Sequence, residues 1–192
     1  MEYDEKEFQA LYKTFQPAIL RYLARLAGEN EAEDLTQEVF MRIRRSIGSF
    51  RGESSLSTWV FRIAANAALD KLRSPAFKKP ARGPEGDPGQ DTPDNGPSPD
   101  QRLIRNEMNE CIRSFIEKLP EQYRDVIVLS ELEEKKNSEI SEILGVTVGT
   151  VKIRLHRARA MLKEELASNC NFYQDQGKGL SCDRKGALNI TF

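Results

Sequence analysis

Lys152, Arg154, Arg157 and Arg159 crowd into two turns of the stretch GVTVGTVKIRLHRARAML, residues 145–162, in a 192-residue chain whose formal net charge is only −1. Guanidinium and ammonium groups at that density are suited to charge-assisted hydrogen bonding with phosphate and with the O6 and N7 atoms of guanine. A helix beginning near Thr147 turns Val148, Val151, Leu155 and Leu162 inward. It leaves Thr150, Lys152, Arg154, His156, Arg157 and Arg159 on the exposed sides. For an isolated helix a solvated basic face is the better reading. Here the segment SEISEILGV precedes it, a short helix and a glycine turn, which makes a helix-turn-helix with its second helix aimed at a major groove. His156 is the sole histidine. No nucleophile or carboxylate stands near it in sequence, so it reads as a DNA contact rather than a catalytic base.

Two other groups of polar residues invite a chemical reading. Asp34, Gln37, Glu38 and Arg42 share one face of a helix, where they offer acceptors and one donor to a partner helix. Internal pairing of Glu38 with Arg42 accounts for the same residues, and the sequence alone does not choose. A metal site from Glu33, Asp34 and Glu38 lacks a histidine and is disfavoured. In FRGESSLSTW, Arg51, Gly52, Glu53, Ser54 and Ser55 form a polar rim, with Arg62, Asn66, Lys71 and Arg73 behind it. Such a rim and track of cations suit an unstacked base and its single strand. Trp59, set among Leu56, Val60 and Ile63, reads as core rather than as a stacking platform.

The three cysteines, Cys111, Cys170 and Cys182, are an odd count and do not form a secreted disulfide framework. In the tail NCNFYQDQGKGLSCDRKGALNITF, the segments NFYQ and GLSC about DQGKG suggest a small β-hairpin that brings Cys170 near Cys182. Two thiolates are half of a zinc site, and their spacing is much wider than a Cys-x-x-Cys knuckle. Ordinary thiols, a regulatory disulfide, and zinc held with a second chain or with Cys111 all stay open. No other cofactor is expected.

Helices must position all of these groups. Hydrophobic residues make up 39% and charged residues 31%, enough for helical cores in a water-soluble protein. No apolar run nears the roughly 20 residues that span a bilayer, and the opening MEYDEKEFQALY is acidic, so no membrane insertion is expected and the cytoplasm is the expected address. Residues 74–99 hold seven of the nine prolines and four glycines and read as a flexible linker. A helical module precedes it at 4–73, with Pro17 bending or splitting its first helix and Asn30 with Glu33 capping its second. A second module follows at 100–167, and Pro120 opens one of its helices. Residues 168–192 form a cysteine-containing extension. The fold class is all-α: two small helical domains on a linker.

The stretches EDLTQEVFMRIRRSIGSFRGESSLSTWVFRIAANAALDKLR, residues 33–73, and LPEQYRDVIVLSELEEKKNSEISEILGVTVGTVKIRLHRARAMLKEEL, residues 119–166, resemble the extracytoplasmic-function (ECF) sigma factors of the sigma-70 family. The resemblance implies that the first module is region 2, which binds core RNA polymerase and opens the minus-10 promoter element. It implies that the second is region 4, which reads the minus-35 element. By the same resemblance Asp34, Gln37, Glu38 and Arg42 dock on the polymerase clamp, and residues 51–55 with Arg62, Asn66, Lys71 and Arg73 contact the melted minus-10 strand. An anti-sigma protein is a further implied partner. The chain departs from the family's Gly-Leu-Ser-like lead at Glu134, Lys135 and Lys136, and Ile153 replaces a residue that is often serine. A helix-turn-helix regulator acting without polymerase is the competing class, and an enzyme is disfavoured because no paired metal-ligand pattern accompanies the carboxylates.

Overall fold

A computed structural model describes residues 5–74, 111–175 and 179–185 of the chain. The expected linker and the start of the second module's first helix lie outside these residues. No helix among the described residues is long and apolar enough to cross a membrane.

Helix α1 spans Glu5–Ala27 and α2 spans Glu29–Ser46. Pro17 lies inside α1 and removes one backbone donor, yet the helix continues. The reason is tertiary: Leu11, Ile19, Tyr22, Leu23 and Leu26 are all buried on one side while Pro17 is exposed, and their burial offsets a proline cost of about 3 kcal/mol. The expected Asn30 cap is not used. Gly28 occupies the N-cap position with φ 88°, its amide donates to the Ala24 carbonyl at 3.0 Å, and α2 starts directly at Glu29. A left-handed glycine reverses the chain in one residue, which places Asn30 already within the first turn. Glu29 and Glu31 then face the positive end of the helix.

A 3-10 turn, Ile47–Ser49, and a short loop lead to α3, Leu56–Arg73. Ser55 caps α3 by accepting from the Thr58 amide at 3.0 Å. Helix α4 covers residues 111–117. Pro120 takes the N-cap position, one residue before α5 at Glu121–Ile127, and the same helix widens into a π turn at Val128–Leu132. Helix α6 is Asn137–Leu144 and α7 is Val148–Asn169. Strands β1, Cys170–Asp175, and β2, Gly179–Arg184, pair antiparallel, with Phe172 opposite Cys182 and Tyr173 opposite Ser181. The helical fold and the terminal hairpin follow the sequence reading.

Buried residues of all seven helices join one contiguous apolar cluster, from Leu11 and Tyr22 through Val60 and Phe61 to Ile127, Ile143 and Val151. The modules therefore meet. Arg62 Nε on α3 donates to the Glu142 carbonyl on α6 at 2.9 Å, and Lys135 Nζ donates to Ser57 Oγ at 2.7 Å. Lys135 also sits 4.5 Å from the centroid of the Phe61 ring, a cation–π contact. Arg25 on α1 pairs with Glu133 at 2.7 Å. Burial pulls the Arg25 guanidinium down and pushes the Glu133 carboxyl up despite their mutual attraction, so desolvation outweighs pairing at this bridge.

Candidate nucleic-acid interface

The helix-turn-helix forms from local signals. Lys136 N–H donates to Glu139 Oε2 at 3.0 Å at the start of α6, and Gly145 ends that helix with φ 64° and ψ 33°. Thr147 then caps α7, accepting from the Thr150 amide at 3.1 Å. Val151, Leu155 and Ala158 bury one side of α7 against the core. Lys152, His156, Arg157 and Arg159 are exposed, and Thr150 and Arg154 are half-buried. One expected core position differs: Val148, in the first turn of α7, is 38% exposed, whereas Leu162 is partly buried and packs against the core.

The exposed cations are not equivalent. Arg159 Nη2 donates to Glu131 Oε1 at 2.6 Å, which holds that carboxyl below its ordinary range. Arg154 lies near Asp125 on α5, which is buried and whose Oδ1 has no hydrogen-bond partner among the described residues. Burial pushes the Asp125 carboxyl up to about 7, while Arg124, Arg154 and Arg73 oppose the shift. Thr150 Oγ1 shares a hydrogen bond with Thr147 Oγ1 at 2.9 Å. Among the described residues, Lys152 and Arg157 take part in no ion pair.

Around the loop before α3, Arg51, Gly52, Glu53 and Ser55 are exposed and Ser54 is half-buried. Gly52 has φ 72°, a backbone state that side chains disfavour, with open space where a Cβ would lie. On α3, Asn66 and Arg73 are exposed and Arg62 and Lys71 are half-buried. Each of these cations has an acceptor in the chain: Arg62 the Glu142 carbonyl, Lys71 Glu31 at 2.5 Å, Arg73 Glu121 at 3.5 Å. Trp59 packs against the core with its ring 5.3 Å from that of Phe50, in keeping with a core role.

On α2, Asp34 and Gln37 are exposed and Glu38 and Arg42 half-buried. Arg42 joins Glu38 at 2.5 Å and Asp70 of α3 at 3.2 Å, so it braces two helices as well as lining the face. Sequence reasoning missed Met41, 53% exposed in the middle of this polar face. Its spacing from Asp34, Gln37 and Glu38 is the helical one, and that periodicity was the available signal. Ile153, 56% exposed on α7, is a second apolar residue presented to solvent.

Comparison with known proteins matches residues 11–76 to "Sigma-70 region 2" and residues 109–162 to "Sigma-70, region 4". The chain is 36% identical over 172 residues to the ECF RNA polymerase sigma factor SigW of Bacillus subtilis, covering 85% of this chain and 90% of that one. It is 34% identical over 169 residues to the ECF RNA polymerase sigma-E factor of Haemophilus influenzae, covering 85% and 89%. Among solved structures, the sigma factor RpoE of Bartonella quintana, in complex with the anti-sigma factor NepR, aligns with TM-score 0.69 at 23% identity over 84% of this chain and 98% of that one. CnrH, in complex with the cytosolic domain of CnrY, aligns with TM-score 0.64 at 23% identity over 86% and 90%. These two likenesses concern the fold.

Proposed function

Because the chain belongs to the sigma-70 family and is an ECF-type RNA polymerase sigma factor, we propose that its basic helix α7 reads the minus-35 promoter element while α2 docks on core polymerase. The observation that carries the assignment is the exposed basic side of α7, opposite the buried Val151, Leu155 and Ala158. Lys152, His156 and Arg157 approach phosphates and base edges from the major groove, and Arg154 and Thr150 stand at the groove's rim. Ile153 meets a thymine methyl, an apolar contact that serine would not make. The residues Arg51, Gly52, Glu53, Ser54 and Ser55 cup an extruded base of the minus-10 element. Arg62, Asn66, Lys71 and Arg73 track the strand behind it.

Asp34, Gln37, Glu38 and Arg42 present acceptors and a donor to a polymerase helix, with Met41 as an apolar anchor between them. The protein works by binding and strand capture and carries out no covalent chemistry. Its place of work is the cytoplasm, with the polymerase. An anti-sigma protein is a further partner, an assignment supported by a solved protein of the same fold, RpoE of Bartonella quintana, in complex with an anti-sigma factor. The decisive experiment is transcription in vitro with purified chain, core polymerase and a pool of genomic promoter fragments. Transcripts from defined start sites are expected only when the chain is present, and Lys152→Ala with Arg157→Ala should abolish most of them. Initiation that is unaffected by that pair would remove α7 from the assignment.

A further inference from the structure

All three cysteines of the chain converge in space, although they come from three separate segments. Cys111 on α4 and Cys170 at the junction of α7 and β1 are buried, with their sulfur atoms 4.0 Å apart across 59 residues of sequence. Phe115 is buried with them, and Leu162, Leu166 and Cys182 pack against the group. In the hairpin register Cys170 stands opposite Arg184 and Cys182 opposite Phe172. Paired residues share a face, so Cys170 and Cys182 are diagonal neighbours on one side of the hairpin. Burial, with the neighbouring Cys111 and Cys182 sulfurs, pushes the Cys170 thiol up to about 11. Among the described residues, no group of three or more His, Cys, Asp or Glu side chains is arranged to hold a metal ion. Formation of a sulfur–sulfur bond needs less: two Sγ atoms brought from van der Waals contact to about 2.05 Å by side-chain rotation.

We propose that Cys111, Cys170 and Cys182 form a redox-modification site in which a hydroperoxide or a low-mass disulfide couples Cys111 to Cys170, with Cys182 as the point of entry. Cys182 is partly exposed and the other two are not. Oxidation by a hydroperoxide begins there: the Cys182 thiolate takes one peroxide oxygen to give a sulfenic acid, and the other leaves as water or an alcohol. The Cys170 sulfur displaces the sulfenic hydroxyl, which leaves as water with the Cys170 proton. The Cys111 sulfur then attacks Cys170, releases Cys182, and passes its proton to the departing thiolate. The sum is two thiols oxidised, one peroxide reduced, and a disulfide between Cys111 and Cys170. A low-mass disulfide enters by exchange at Cys182 with loss of one thiol, Cys170 displaces the second thiol, and Cys111 then releases Cys182 as before. The new bond ties the first described helix of region 4 to the far end of its DNA-reading helix, so that nearly the whole region becomes one closed covalent loop.

The test uses the full chain, purified under reductant and then exposed to hydrogen peroxide or, separately, to glutathione disulfide. Peptide mapping without reduction should find a Cys111–Cys170 link within single chains, removed by dithiothreitol. Closing a loop of this length should raise the melting temperature by about 10 °C. Cys182→Ser should form the same link about tenfold more slowly at equal peroxide. Three results would each overturn the proposal: oxidation that stops at Cys182, links only between chains, or zinc retained at about one ion per chain with all three thiols protected from alkylation. If Cys170→Ser does not fold, the mapping of the unmodified chain still decides.

Discussion

The two basic surfaces of this sigma factor are held in different states. On α7, Lys152 and Arg157 project into solvent and join no ion pair among the described residues. On α3, Arg62, Lys71 and Arg73 are each occupied by an acceptor of the chain itself. The strand capture proposed for α3 would therefore have to displace Glu31, Glu121 and the Glu142 carbonyl. Under the proposed assignment, α7 is open to duplex in this conformation, whereas Arg62 and Arg73 must leave Glu142 and Glu121 of the second module before region 2 can hold a strand.

The largest expected effect concerns the residue both surfaces share. Asp125 feels Arg154 of α7 and Arg73 of α3. Its folded pKa, about 7, lies above the ordinary carboxylate value of 3.8, so the folded state holds the proton more tightly. The contribution of Asp125 to stability is greatest below about pH 4 and declines as pH rises through about 7. Urea unfolding should show a loss of about 3 kcal/mol from about pH 5 to about pH 8, and Asp125→Asn should flatten that slope. An unchanged slope in the variant would mean that Asp125 titrates normally.

Next in size is the pair Lys152→Ala with Arg157→Ala. Affinity for minus-35 duplex, followed by fluorescence anisotropy, should fall about 100-fold, with a shallower salt dependence. Equal loss from Lys71→Ala with Arg73→Ala in the same duplex assay would erase the distinction between the surfaces. Lys135→Ala removes the Ser57 hydrogen bond and the contact with Phe61 that join the modules. Unfolding free energy should drop by about 1 kcal/mol, while duplex affinity holds. The smallest effect is expected from Glu131→Gln, which releases Arg159 from its pair. An exposed bridge of this kind is worth less than about 1 kcal/mol, so duplex binding should tighten by about two- to threefold at low salt.

Much of α7 was legible because its signals are local. Gly145 and Thr147 fix a turn and a cap within three residues, and the burial of Val151 and Leu155 follows from period alone. What failed to show in the sequence is non-local. Asn30 fits a cap by residue type until the reversal at Gly28 is known, and a helical wheel does not show that Val148, in the first turn of α7, is left exposed. Glu134 illustrates both sides. The departure from the family's glycine was visible, but its consequence, a non-glycine residue at φ 51°, belongs to the folded backbone. Lys135, part of the same departure, turns out to reach across to Ser57 and Phe61. The pairing of Cys111 with Cys170 had no sequence signal, since chain separation conveys nothing about proximity after packing.

The passage from α7 into β1 has no spare residue: Asn169 ends the helix and Cys170 begins the strand. Lys185, just beyond β2, fastens the splice from the other side, with Nζ on the Ala167 carbonyl at 2.6 Å and its amide on the Asn169 carbonyl at 2.8 Å. A helix welded to its tail in this way behaves as a lever with a handle. Any tilt of α7 must swing the hairpin through a matching arc, so whatever grasps or stiffens the handle acts on the other end of the helix as well.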